Sequence, residues 1–173
     1  MRKKEKTITR SFRISESVFK ALEEDAAKRN ISVNTLVNQL FLQHVNFNRF
    51  FDQIGKIQLS RQTFGRLLNA CPDEAISQTA RLSGKDTPRA FMRAKYGVIS
   101  LTTVLDYIRL AVVYGGYAEY SQVESQGKRT VTLMHNMGQK WSLLLCHYFE
   151  SLFELIDLHP KITSSENSVT FEV

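Results

Sequence analysis

The chain has 173 residues, 43% of them hydrophobic and 10% aromatic, and a formal net charge of +6. These values exclude a disordered polyelectrolyte and bound the chain to one or two small globular domains. No apolar run approaches about 18 residues, so no membrane-spanning helix is expected, and the basic N-terminus has no apolar stretch behind it of the kind a signal peptide needs. Two cysteines, Cys71 and Cys146, are too few for a disulfide framework and are not spaced as a zinc site. A cytoplasmic protein with reduced thiols and no membrane partner is expected.

The segment Lys6-Thr7-Ile8-Thr9-Arg10-Ser11-Phe12-Arg13-Ile14 alternates from Ile8 onward. Ile8, Phe12 and Ile14 fall on one parity; Thr7, Thr9, Ser11 and Arg13 fall on the other, with Arg10 breaking the apolar parity. Period two predicts a half-buried strand with a short polar face. Ser15 then caps a helix that carries Glu16 in its first turn and Val18, Leu22 and Ala26 at four-residue intervals. Lys28 and Arg29 suit its last turn, and Asn30 suits a left-handed position beyond it. Ser32 is the next cap, and Val33, Leu36, Val37, Leu40, Phe41, His44 and Val45 outline a second, wider apolar stripe. Residues 1–46 thus read as one strand and two helices. A lone strand has two unpaired edges, and so short a unit buries too little apolar surface to stand alone, so a dimer with antiparallel paired strands is expected.

From Thr7 to about Val45 this pattern resembles the ribbon-helix-helix regulators of the Arc, MetJ and CopG type. The resemblance includes Phe12-Arg13-Ile14 before the first helix and Asn30-Ile31-Ser32-Val33-Asn34 between the helices, with Ser15 where many members carry Pro. It implies a homodimer, or a dimer of dimers, that lays a paired ribbon in the major groove of double-stranded DNA. Base readout then falls to Thr9, Ser11 and Arg13, whose donors and acceptors match the patterns presented there. Ser32, Val33 and Asn34 open the second helix, where free N–H groups and the positive end of the helix dipole suit a DNA phosphate. Residues 1–46 hold nine Lys or Arg against five Asp or Glu. Arg2, Lys3, Lys4, Lys6 and Arg10 are the expected backbone-phosphate contacts of this basic pole.

Residues 47–55 read as a short linker or an extension of the second helix, closed by Gly55. Lys56 to Ser60 reads as a short strand. Ser60 then caps a helix containing Phe64, Leu67 and Leu68 that ends near Cys71-Pro72. A short helix is expected over Asp73–Leu82, stopped by Ser83-Gly84, and another begins at Thr87-Pro88 and ends at Gly97. Ser100 opens a helix with Leu101, Val104, Leu105, Ile108 and Val112 on one face, ended by Gly115-Gly116. Tyr117–Glu124 and Arg129–Met134 read as a hairpin turning at Ser125-Gln126-Gly127. The longest apolar helix pattern runs from Gln139 to Asp157. A last hairpin pairs Lys161–Thr163 with the alternating Val169, Phe171 and Val173. Residues 56–173 are therefore expected to form an α+β domain for assembly or effector sensing. Its sheet would be antiparallel with helices on one face, of which a ferredoxin-like arrangement is one form.

Arg81, Lys85, Arg89, Arg93 and Lys95 cluster against a single acid, Asp86; a solvated helix face is the commoner use of such a run, a second DNA-backbone patch or an interface the rarer one. His135, Cys146 and His147 lack metal-site spacing, since adjacent helical residues point about 100 degrees apart. There is no nucleophile elbow, phosphate-cradling glycine loop or telling carboxylate pair, so neither an enzyme nor a cofactor is expected. The sequence reads as a DNA-binding transcriptional regulator, a repressor by its resemblance, with a small-molecule effector as a further partner. Two other classes stand beside it. One is an antitoxin-like DNA-binding protein whose C-terminal domain takes a partner protein; the other is a metal- or ligand-sensing regulator.

Overall fold

Ser15 and Asn30 bracket the first helix, α1 (Glu16–Lys28). The Ser15 hydroxyl accepts from the Val18 N–H at 3.4 Å. At the other end Asn30 takes a left-handed backbone with φ of 53°. Its N–H donates to the Ala27 carbonyl, and the Ile31 N–H donates to the Ala26 carbonyl, each at 3.0 Å. These two bonds are the Schellman closure, in which a left-handed residue lets the chain turn back onto the last helical carbonyls. Ser32 opens α2 (Val33–Gln43), its hydroxyl accepting from the Thr35 N–H at 3.1 Å.

The structure, a computed structural model, describes residues 7–173. The chain divides into two units, Met1–Leu42 and Gln43–Val173. The first has little interior: Ala26 and Leu36, each 2% exposed, are its buried apolar residues among those described. Residues 7–15 take no regular structure, and the first strand of the described chain begins at Glu119. The expected N-terminal ribbon, and with it a ribbon-helix-helix fold, is therefore corrected to an irregular arm followed by two helices. The reason is that a strand is defined by a ladder partner, and every described ladder lies beyond residue 118. Nor does the alternation sort into inner and outer faces: Ile8, Phe12 and Ile14 are 73%, 70% and 52% exposed.

The second unit begins with a π-helical turn (His44–Asn48) followed by α3 (Arg49–Ile54) and then α4 (Arg61–Ala70). Lys56–Ser60, expected as a strand, takes no regular structure; Ile57 is 85% exposed and has no ladder neighbour. The two helices expected over 73–97 are one, α5 (Asp73–Tyr96), with Gly84 and Pro88 in its interior. Both residues are buried, on the same stripe as Ile76, Ala80, Phe91 and Met92. Proline removes one helical bond and usually breaks or kinks a helix, but here the stripe that carries it is anchored along its length by packing, chiefly on α7. α6 (Leu101–Gly115) starts in a reciprocal capping box between Ser100 and Thr103 and ends at left-handed Gly116.

The sheet comprises β1 (Glu119–Ser125), β2 (Lys128–Met134), β3 (Ile162–Ser165) and β4 (Ser168–Glu172), all antiparallel in the order β1-β2-β4-β3. α7 (Gln139–Glu154) joins the two hairpins. Val131 and Leu133 pair with Phe171 and Val169, all four at most 1% exposed, and Phe171 meets the rings of Phe149 and Phe153 on α7 at 5.5 and 5.2 Å. On the alternate parity Thr132 and Thr170 share a hydroxyl contact of 3.1 Å. Two local hairpins joined by one crossover helix, β2-α7-β3 spanning β4, replace the ferredoxin-like arrangement, which needs two β-α-β crossovers. No single helix among the described residues is long and apolar enough to cross a membrane.

Candidate nucleic-acid interface and an aromatic cavity

The arm and the turn between α1 and α2 hold the residues that the sequence assigned to DNA. Thr9, Arg10, Ser11 and Arg13 are all exposed on the arm. No acidic residue interrupts the segment from Thr7 to Ser15, and neither arginine forms a salt bridge among the described residues. Thr9 and Ser11 keep their side-chain hydroxyls free of protein hydrogen bonds among the described residues. Phe12 stands edge-on to Phe41 of α2, with ring centroids 6.1 Å apart. That contact ties the arm to the second helix and leaves the polar residues on either side of Phe12 outward.

At the α2 start the residues have other work as well. The Ser32 hydroxyl is 2.8 Å from that of Thr35 and accepts the Thr35 N–H. The Asn34 carbonyl accepts from the Asn38 amide at 3.0 Å, while its side chain is exposed. Val33 is half-buried, so its contribution to an anion is its backbone N–H. The structure thus places Ser32, Val33 and Asn34 together at one helix start. Arg2, Lys3, Lys4 and Lys6 lie outside the described residues.

The basic run on α5 is largely committed within its own unit. Arg81 pairs with Glu150 at 3.2 Å and Lys85 with Glu154 at 2.7 Å, both acids on α7. Lys95 donates to the Asn46 carbonyl at 3.0 Å and lies 5.3 Å from the Phe50 ring centroid. Burial holds the Lys95 ammonium below its ordinary range. His147 sits between Arg81 and Glu150, at 2.9 and 2.8 Å, whereas His135 bonds Ser142 at 3.0 Å. Among the described residues no group of three or more His, Cys, Asp or Glu side chains is placed to hold a metal ion.

The second unit also carries a half-open cavity of about 530 Å³ that sequence reasoning missed. Phe47 and Phe51, from the π-helical turn and α3, form one wall with their centroids 4.4 Å apart. Tyr107 and Tyr114 of α6, Tyr117, and Trp141 and Tyr148 of α7 line it as well, beside aliphatic Leu144 and Leu145 and polar Gln43, Asn48, Gln58 and Thr87. The Tyr107 and Tyr148 hydroxyls are 2.6 Å apart. Burial pushes the Tyr107 phenol up to about 12, with the Tyr148 hydrogen bond acting the other way. Burial also raises Tyr117 and Tyr148, and each of these two is raised further by the charge of Tyr107. All three stay protonated donors throughout the ordinary pH range. The signal in the sequence was the aromatic density of Asn46–Asp52 and of Tyr107–Tyr117, which reads equally well as core.

No protein-family model matches this chain, and no curated protein matches it.

Proposed function

We propose that this protein is a DNA-binding transcriptional regulator that acts in the cytoplasm as a homodimer, binding through its N-terminal arm and the start of α2. The observation that carries the reading is the acid-free arm of residues 7–15, on which Thr9, Arg10, Ser11 and Arg13 are all exposed and the one side-chain hydrogen bond of these four among the described residues runs from Arg10 to the adjacent Thr9 carbonyl. Arginine beside small hydroxyl side chains is suited to base edges and phosphates at once. The α2 start adds oriented N–H groups at Val33 and Asn34, and Arg2, Lys3, Lys4 and Lys6 extend the same charge toward the terminus. Repression follows if the bound dimer occludes a promoter. The resemblance of Thr7–Val45 to known regulators supports DNA as the partner, without supporting a paired strand.

The homodimer is supported by what the first unit leaves uncovered. Ile8, Phe12, Ile14, Val18, Phe19, Leu40 and Phe41 are all more than 40% exposed in the single chain. Two buried apolar residues cannot hold a unit of this size, whereas a second copy covering those side chains would complete its interior. The reading is of a binding protein and not an enzyme, with residues 56–173 serving assembly or effector response.

The test is DNA binding by the full chain to sites recovered from genomic footprinting. Arg13→Ala is expected to lose roughly 1–3 kcal/mol at the preferred site and to relax its preference. Arg10→Ala is expected to weaken all sequences alike and to flatten the dependence of log K on log salt by about one. Unchanged affinity and preference in Arg13→Ala would remove the arm as the reader.

A further inference from the structure

The cavity in the second unit has three properties that an interior packing fault does not combine. Its volume of about 530 Å³ falls within the range of small-molecule sites, roughly 300–1,000 Å³. Seven of its seventeen lining residues are aromatic, and their rings offer flat faces for another flat molecule. It also carries hydrogen-bonding capacity that the protein does not use. The Tyr107–Tyr148 contact consumes one hydroxyl proton and leaves the other of the pair to donate elsewhere. Tyr117, also in the lining, makes no side-chain hydrogen bond among the described residues. The indole Nε1–H of Trp141 is buried without a partner as well, so three spare donors belong to the residues lining one cavity, where an unfilled buried donor costs free energy.

Another part of the lining is built by a special backbone. His44–Asn48 is a π-helical turn, a conformation that is rare and recurs at functional sites. It presents Phe47 toward the cavity in line with Phe51 of α3. Charge is nearly absent. Lys56 is the one charged lining residue, and its ammonium is already paired with Asp52 at 2.8 Å. An anion placed against the phenols would thus be desolvated without a free cation to meet it.

We infer that this cavity binds an uncharged, planar aromatic molecule bearing a carbonyl group, its rings between the Phe47–Phe51 wall and Trp141 and its oxygen accepting from the Tyr117 hydroxyl and from whichever of the Tyr107 and Tyr148 hydroxyls does not donate to the other. The site stands independently of the DNA-binding reading, since every residue in it belongs to the unit Gln43–Val173. It gives the effector anticipated for that unit a location and a chemistry. Binding here stabilises the chamber through the π-helical turn, which follows α2 directly in sequence.

Trp141 is the chain's single tryptophan and forms part of the wall, so its emission reports occupancy. The experiment titrates the full chain, without DNA, with 2-acetonaphthone as probe, followed by Trp141 fluorescence and by ligand-observed NMR saturation transfer. The charged analogue 2-naphthoate and the aliphatic ketone 2-decanone are run beside it. Saturable binding of 2-acetonaphthone is expected, at least tenfold tighter than either comparator. Tyr117→Phe, which breaks no hydrogen bond within the protein, is expected to weaken it about tenfold, and Tyr148→Phe by at least as much. Circular dichroism checks that each variant folds; should Tyr148→Phe fail to fold, Tyr117→Phe decides alone. No saturable binding, or equal affinity for 2-naphthoate or 2-decanone, or full affinity in Tyr117→Phe, would overturn the assignment.

Discussion

Gly84 of α5 lies directly against the backbone carbonyl of Tyr148 on α7, and a methyl group at position 84 would overlap that carbonyl. The two helices therefore approach at a distance only glycine permits, and the partner is backbone, which cannot swing aside. Gly84→Ala gains helix propensity at an interior position, yet the overlap forces the helices apart and costs about 1–3 kcal/mol. Chemical denaturation of the full chain checks the sign. A stabilised variant would mean that the helices separate freely.

The uncovered apolar side chains of the first unit give a second expectation. Phe41, 51% exposed and edge-on to Phe12, lies among them. In the proposed dimer Phe41→Asp buries a carboxylate in the shared interface, so sedimentation velocity should show the dimer replaced by monomer at the same loading concentration. DNA affinity should fall with it, because each copy then brings only one arm.

His135 supplies a pH dependence whose sign is fixed by its bonds. Its Nδ1 accepts the Met137 N–H at 3.4 Å, so the ring proton sits on Nε2 and is donated to the Ser142 hydroxyl at 3.0 Å; Ser142 in turn donates to the Glu166 carbonyl at 3.2 Å. Burial lowers the His135 pKa. The folded state thus binds this proton less readily than the unfolded state, and stability is lost as pH falls below about 6.5 toward the lowered folded value. Thermal melts between about pH 7.5 and 5 should show this decline, and His135→Asn should flatten it. A decline of equal slope in the variant would place the proton elsewhere.

How far these features were legible from the residues alone differs with the range of the forces involved. Ser15, Ser32, Ser60 and Ser100 announce helix starts because a cap acts within one turn of its own residue, and all four caps are in place. Gln126 and Gly127, with φ of 52° and 76°, make the hairpin turn their sequence suggests. Gly84 and Pro88 mislead because local propensity argues for a break, whereas the fit of α5 on α7 is a long-range matter that overrides it. Ile8, Phe12 and Ile14 mislead in another way: alternation shows that a segment can be extended, not that another strand lies beside it. The arm's polar residues were legible by charge and exposure. The phenol pair was not, since the Tyr107 and Tyr148 hydroxyls, 41 positions apart in the chain, meet only in the folded unit, and a tyrosine in a helix stripe looks the same whether it faces a core or a cavity.

The central seam of the sheet has a consequence for the order of events in folding. Each hairpin closes across a handful of residues, but Thr132 and Thr170 meet across 38 positions of chain with α7 between them. Closing a longer loop costs more entropy before any contact rewards it. The β1–β2 and β3–β4 hairpins can therefore form in microseconds to tens of microseconds, while the β2–β4 seam waits until α7 has collapsed onto them. Pulse-labelled hydrogen exchange during refolding should protect the Val123 and Thr130 amides before those along the Leu133–Val169 pair. Until that seam closes, β2 and β4 each present an unpaired edge, and the interval before α7 docks is the period in which this chain is most open to aggregation.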